Sequence, residues 1–310
     1  MVSTARPTIG IALGGGAARG WAHIGVLKSL IAARLEPDIV AGTSIGAVAG
    51  ACFVTGRLNA LEDFACGLTR RRIFGFLDFN FAGSGLITGQ RLSTRLEQHL
   101  QQFNIEQLER RFVAVATELG TGHEVWLNKG SLVNALKASF ALPGIFRPVQ
   151  INGRWLIDGA LVNPIPVSVC RALGARIVIA VNLSNDVFSK GAVIHDQEPY
   201  VTPAAAPQSD GQELLGSNGR AAVHLLHRQI FGRSDAPGMS AVMMDAINIT
   251  QDRIARSRLA GDPPDILIAP KTGSIGLFDF HRGAEAIELG ARATEKLIDE
   301  IKLAVRALAA

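Results

Sequence analysis

Ser44 stands at the centre of Gly42-Thr43-Ser44-Ile45-Gly46, a G-x-S-x-G spacing that serves nucleophilic acyl transfer. A serine held on a tight strand-to-helix turn has strained backbone, and glycine on both flanks permits the crowding. The helix that follows would aim its positive N-terminal end at the serine region. A second glycine turn lies upstream in "LGGGAARG", Leu13 to Gly20. It could cradle a nucleotide phosphate, stabilise the oxyanion of a reaction intermediate, or simply let a strand meet a helix. A phosphate loop needs GxxxxGK[ST], and no Lys-Ser/Thr follows these glycines. A dinucleotide fold wants an acid at the C-terminal end of the second strand; Gly42-Thr43-Ser44 stands there, and Asp38 lies at the strand's start. Two adjacent strand ends, one with exposed backbone amides and one with a serine, suit acyl transfer better. The serine still needs a base. Asp158 ends the run "GRWLID" and precedes Gly159-Ala160; taken alone, it reads as an ordinary turn residue.

The elements that must position these groups follow from hydrophobic pattern. Thr8 to Leu13 is a short apolar run suited to a buried parallel strand. Helical spacing of Trp21, Ile24, Leu27, Ile31 and Leu35 predicts a helix over 18–35, stopped by Pro37. A strand over Asp38 to Gly42 and a small-residue helix over Ile45 to Thr55 complete a βαβ signature, hence a mostly parallel sheet. Further strands are expected at 112–117, 124–127, 155–157, 176–181 and 265–268. Further helices are expected at 88–102, 131–141, 167–173, 241–259 and 281–308, with Asp279 as N-cap of the last. Residues 184–238 are rich in Pro, Ala, Gln and Ser and read as a flexible insertion. The expected organisation is a single α/β domain over 8–310 carrying that excursion.

In this order, the glycine turn with its trailing Arg19-Gly20, G-T-S-I-G and Asp158-Gly159-Ala160 look like the patatin-like phospholipases. "HIGVL" (His23 to Leu27), "ASFALPGIFRPV" (Ala138 to Val149) and "NPIPV" (Asn163 to Val167) are similar to blocks of that family. "GDPPDILI" (Gly261 to Ile268) and "DFHRG" (Asp279 to Gly283) resemble its bacterial RssA-type subgroup. The resemblance implies a three-layer α/β fold with helices flanking a mostly parallel sheet. It also implies a Ser-Asp dyad without histidine: Ser44 as acyl-accepting nucleophile, Asp158 as general base and later general acid. Asp158 would then have to touch the Ser44 hydroxyl with water largely excluded, and desolvation would raise its pKa. The family's glycine motif is usually G-x-G-x-x-G. Here Ala17 stands where the middle glycine is usual, and alanine resists φ > 0. The amides of Gly15, Gly16 and Ala17 are the expected oxyanion donors, with Gly14, Arg19, Gly20, Gly42, Gly46, Gly159 and Ala160 shaping the surroundings. Arg19 could orient the loop, meet a lipid phosphate or be solvated.

Other reactive residues take blander readings. His281 follows Ser44 and Asp158 in the chain order of an α/β-hydrolase triad, but the dyad leaves it no role. His23 is expected to be a packed helix residue, and Ser139 to shape a wall near the site. His224 and His227 are spaced i, i+3 without a third ligand, so no metal is expected. The three cysteines Cys52, Cys66 and Cys170 read as small buried hydrophobes. Two stretches, Arg70 to Phe81 and Gly219 to Arg233, combine arginines with apolar side chains. Each could dock on anionic lipid heads or pack on this domain or a second subunit.

Bulk composition agrees. Hydrophobic residues make up 48% and charged residues 19% of the 310, enough for a large core. A net charge of +4, one Tyr and no dense basic tract disfavour nucleic acid. No uncharged apolar run reaches the roughly 20 residues of a membrane span, and no secretory leader is apparent. The expected protein is a cytoplasmic serine acyl hydrolase without metal or organic cofactor, cleaving fatty-acyl esters of phospholipids or lysophospholipids. Contact with the inner membrane face and homo-oligomerisation are compatible with it. A regulatory adaptor of the same fold with little turnover, or an acyltransferase, remain the alternatives.

Overall fold

The structure, a computed structural model, describes residues 6–70, 90–187 and 239–309. The chain divides into two units, one of residues 1–188 and 250–310 and the other of residues 189–249. The described part of the second unit is helical, the first half of helix Met239–Gly261. The sheet and the candidate site belong to the first unit.

Eight strands form one sheet: β1 (Ile9–Leu13), β2 (Ile39–Thr43), β3 (Arg111–Glu118), β4 (Glu124–Leu127), β5 (Val149–Ile151), β6 (Arg154–Asp158), β7 (Ile177–Val181) and β8 (Ile266–Ile268), in the order β5-β6-β3-β2-β1-β7-β8 with β4 also on β3. The pairs β1–β2, β2–β3, β1–β7 and β7–β8 are parallel; β3–β4, β3–β6 and β5–β6 are antiparallel. β1, β2 and β7 are buried along their whole length, as continuous apolar strands covered on both faces should be. One face packs against helices Ala22–Ala32, Ile45–Val54, Leu58–Cys66, Leu132–Ser139 and Gly283–Glu295; the other against Val167–Ala172 and the end of Met239–Gly261. These are the three layers expected.

Register along β3 decides where the site forms. β2 pairs with β3 from Arg111 to Val115, and β6 pairs with it from Ala116 to Glu118. β4 pairs with Ala114 to Thr117 and so overlaps both, which puts β4 on one edge of β3 and β2 and β6 end to end on the other. Thr43 lies opposite Val115 and Asp158 opposite Ala116. The C-terminal ends of a parallel and an antiparallel strand therefore meet head to head.

Several expectations need correction. The first helix begins as a 3-10 turn over Ala17–Trp21 and is α-helical only over Ala22–Ala32. The last one is broken into Phe280–Arg282, Gly283–Glu295 and Ile298–Ala309. Asp279 does not cap it, because its carboxylate accepts from the Gly276 amide at 2.9 Å. Cys52 and Cys170 are buried as expected, but Cys66, the last residue of its helix, is exposed. Helix Leu58–Cys66 and strand β5 are additions. β5 joins β6 through Asn152-Gly153, both at positive φ (49° and 79°), the turn chemistry of a two-residue hairpin.

Candidate active site

Ser44 has φ 57° and ψ −125°, a strained backbone conformation between β2 and the helix Ile45–Val54. Its flanking glycines are sterically required. A Cβ on Gly46 would stand 2.2 Å from the Leu13 carbonyl oxygen, and one on Gly42 would stand 2.4 Å from the Ala47 Cα. Ser139 stabilises the turn, accepting from the Ser44 amide at 2.9 Å and donating to the Val115 carbonyl at 2.6 Å. The Thr43 hydroxyl donates to the Asn163 carbonyl at 2.9 Å.

The Ser44 hydroxyl donates to Asp158 Oδ2 at 2.7 Å. Asp158 is 2% exposed, and its other oxygen accepts from the Ala160 amide at 2.8 Å. Desolvation pushes the carboxyl pKa up to about 6, against the opposing pull of the Ala160 and Ser44 hydrogen bonds. The Asp158 amide donates to the Ala141 carbonyl and its carbonyl accepts from Thr117 Oγ1, so the backbone is held on both sides. Gly159 must be glycine, since a Cβ there would lie 2.2 Å from the Val115 carbonyl oxygen. A carboxylate so placed stands at hydrogen-bond distance from the hydroxyl proton, with its basicity raised by burial.

The glycine turn adjoins this pair: a Cβ on Gly15 would sit 3.7 Å from that of Ser44. Not all the expected amides are free. The Gly14 and Gly15 amides donate to Val181 and Pro164 carbonyls at 3.2 and 3.0 Å, which removes Gly15 as an oxyanion donor. Among the described residues the amides of Gly16 and Ala17 have no acceptor. Ala17 takes φ 49°, so alanine here adopts the left-handed backbone that glycine would take without strain.

His23 is fully buried, and its Nε2–H donates to the Gly14 carbonyl at 2.7 Å. Burial lowers its pKa to about 4, so it is a neutral tether of the glycine turn, a packed helix residue as expected. Arg19 is 7% exposed and donates through Nε to the Ile275 carbonyl; burial lowers its pKa. This bond ties the glycine turn to the segment around Ile275, and the solvated reading falls. Gly20 packs against the Ile45 side chain. His281 receives a hydrogen bond from Arg70 Nε at 3.3 Å, while Asp158 occupies the hydroxyl of Ser44. His224, His227, residues 71–81 and residues 219–233 lie outside the described residues, as does most of the 184–238 stretch.

Sequence reasoning passes over Asn163. It is fully buried, its amide donates to the Gly159 carbonyl, and its side chain donates to Glu124 at 2.7 Å. It thus links the turn that follows Asp158 to Thr43, and its place in "NPIPV" is the available signal. A small cleft of about 100 Å³ opens beside it, lined by Ile165, Ser168, Arg258 and Asp262 among others. Among the described residues no group of His, Cys, Asp and Glu could hold a metal, and no helix is long and apolar enough to cross a membrane.

Residues 11–171 match the family described as patatin-like phospholipase. An uncharacterized NTE family protein of Mycobacterium tuberculosis is 32% identical over 94% of this chain and 91% of the relative. A patatin-like phospholipase domain-containing protein of Caenorhabditis elegans is 33% identical over 57% of this chain and 14% of its own length. The crystal structure of VipD from Legionella pneumophila superposes with a TM-score of 0.51 at 12% identity, covering 95% of this chain and 67% of that one; at that identity it speaks for the fold alone. The family match and the near full-length relative make this chain a member of the patatin-like phospholipase family, a lipid acyl hydrolase built on a mixed α/β sheet.

Proposed function

We propose that the protein hydrolyses fatty-acyl esters of phospholipids or lysophospholipids through an acyl-enzyme on Ser44, with Asp158 as the sole proton shuttle. The observation that carries this reading is the 2.7 Å hydrogen bond from the Ser44 hydroxyl to a buried carboxylate. Asp158 Oδ2 takes the hydroxyl proton as Oγ bonds to the ester carbonyl carbon. The carbonyl oxygen becomes an oxyanion facing the Gly16 and Ala17 amides. Collapse expels the alcohol, which leaves with the proton from Asp158. Water then repeats the sequence: it loses a proton to Asp158, attacks the acyl carbon, and Ser44 leaves reprotonated. Each oxyanion donor of this kind contributes about 3–4 kcal/mol to the barrier reduction. The dyad reading uses no metal or organic cofactor. We read the chain as one patatin-like domain with 184–238 as an insertion.

Wild type, Ser44→Ala and Asp158→Asn, assayed on phospholipid and lysophospholipid esters and treated with a fluorophosphonate probe, test the reading. Wild type should turn over and label, while both variants should lose about 10³-fold or more in kcat. Full esterase activity in Ser44→Ala would sink it. Wild type that neither labels nor hydrolyses any acyl ester would point to the adaptor. Alcohols that outcompete water for the acyl group would point to the acyltransferase.

A further inference from the structure

The dipeptide Asn163-Pro164 is bonded to all three turns of the site. The hydroxyl of Thr43, one residue before Ser44, donates to the Asn163 carbonyl at 2.9 Å. The Asn163 amide donates to the carbonyl of Gly159, one residue after Asp158, at 2.9 Å, and the Gly15 amide donates to the Pro164 carbonyl at 3.0 Å. The turns after β1, β2 and β6 are thus joined through two residues. The side chain of Asn163 anchors them, donating to Glu124 Oε1 at 2.7 Å and to Ser168 Oγ at 3.3 Å. Glu124 is the first residue of β4 and lies opposite Thr117, whose hydroxyl holds the Asp158 carbonyl. Its side chain is only 17% exposed. Its carboxylate accepts three donors, each at 2.7 Å: Asn163 Nδ2 and Trp126 Nε1 on Oε1, and Arg258 Nη2 on Oε2. An ionised carboxylate is acceptor-only, so it suits three donors and fixes the Asn163 amide; a flipped amide would set Oδ1 against negative charge. In the orientation kept, Asn163 Oδ1 is buried without a hydrogen-bond partner among the described residues, a cost that the bond to the carboxylate offsets. Arg258 comes from helix Met239–Gly261, so the clamp on Glu124 is a long-range one.

We propose that Glu124 is a positioning residue for both halves of the dyad and for the glycine turn. Clamped by Arg258, it sets the Asn163 amide, and the Asn163-Pro164 backbone sets the turns of Ser44, Asp158 and Gly15 relative to one another. Its own hydrogen bonds go to Asn163, Trp126 and Arg258, so it acts through Asn163 and not on the reacting groups. A misplacement of about 1 Å caused from a distance can cost about 100-fold in rate, which gives so remote an ion pair a reach into turnover. That effect on turnover rests on the proposed roles of Ser44 and Asp158; the effect on the three turns does not.

The test combines steady-state hydrolysis of a soluble short-chain ester with amide hydrogen exchange of the full chain, both well below the unfolding midpoint. Glu124→Ala should lower kcat about 10- to 100-fold while KM changes less than about twofold. Arg258→Gln, which leaves the bond from Asn163 to Glu124 in place, should lower kcat about three- to tenfold. In Glu124→Ala, exchange should rise about tenfold in the segments 13–20, 42–48 and 158–164 together. Glu36→Ala breaks the ion pair with Arg110 ahead of β2 and serves as the control. It should leave kcat and exchange in those segments unchanged, whatever it does to the unfolding temperature. Because Glu124 acts through Asn163, adding Glu124→Ala to Asn163→Ala should cost no further kcat. Either full kcat or unchanged exchange in Glu124→Ala overturns the proposal, and so do additive losses in the double variant. Should Asn163→Ala fail to fold, Glu124→Ala and Arg258→Gln, both at partly exposed side chains, carry the test through kcat and exchange. Retained hydrolysis by Ser44→Ala, or wild type without turnover, would defeat the dyad reading, and the exchange pattern would then decide the positioning role alone.

Discussion

β2 and β6 deliver their last residues to the same point of β3 from opposite directions, and they are built by different means. β2 is a buried parallel strand whose successor, Ser44, is shaped by neighbours in sequence: two glycines that let the turn close against Leu13 and Ala47. β6 is the second strand of an antiparallel hairpin, exposed at its start and buried at its end. Its Asp158 is shaped by distant partners: Ala141, Thr117 and Ser44. The serine side stores backbone strain and the aspartate side stores desolvation. Strain is a local property that a motif can encode, whereas desolvation needs the whole sheet to be assembled.

The largest effect should come from breaking the aspartate side. Asp158→Asn should cost about 10³-fold or more in kcat yet raise the unfolding free energy at pH 7 by about 1–3 kcal/mol, read from denaturant curves. The sign follows from the raised pKa. The folded state binds the proton more tightly than the unfolded chain, so wild-type stability falls as pH rises from roughly 4 through about 6. The Asp158→Asn substitution would remove that slope. A variant no more stable than wild type at pH 7 would show that desolvation is not what this carboxylate bears.

Next come the glycines, which place both sides under the same steric demand. Gly159→Ala and Gly46→Ala should each destabilise by about 1–3 kcal/mol, because both would drive a Cβ into a backbone carbonyl. If chemical denaturation showed one to be neutral, the head-to-head approach of the two strands would be looser than drawn. The aspartate side also sets a pH profile: kcat/KM should fall as pH drops through about 6, where Asp158 takes up its proton and ceases to be a base. A profile flat from about pH 5 to about pH 8 would exclude that role. His23 acts on stability with the opposite sign. Its lowered pKa means that stability is lost as pH falls from about 6.5 toward about 4.

The smallest effect concerns the glycine turn. Ala17→Gly relieves an alanine at φ 49° but adds freedom to the unfolded chain, so stability should rise by no more than about 1 kcal/mol, and kcat should change little. A loss of stability would mean that the methyl group packs in a way that outweighs the backbone strain.

Much of the site is legible in the sequence. Ser44 is marked by its glycines and by its place between strand and helix, whereas Asp158 is singled out only by the family resemblance, since taken alone it reads as an ordinary turn residue. Legibility fails where long-range contacts set the outcome. Gly15 is an expected oxyanion donor, but its amide is taken by Pro164, from a distant part of the chain. Arg19 cannot be assigned from sequence because its partner, the Ile275 carbonyl, comes from the far end of the chain. Strand β5 escapes the pattern although Asn152-Gly153 advertises a hairpin, because three residues are too few for a periodicity argument.

By itself the sequence determined the parallel βαβ frame, the two glycine turns at strand ends and the placing of a serine on the second of them. These depend on local sterics and on apolar runs that must be buried. Only the tertiary structure decided that β6 takes over from β2 along one edge of β3, and that register brings the Ser44 hydroxyl within 2.7 Å of Asp158. It also decided that, among the described residues, the Gly16 and Ala17 amides have no acceptor. Pairing register and the accounting of buried donors are properties of the assembled sheet, in which each hydrogen bond is set by a strand that the local sequence does not contain.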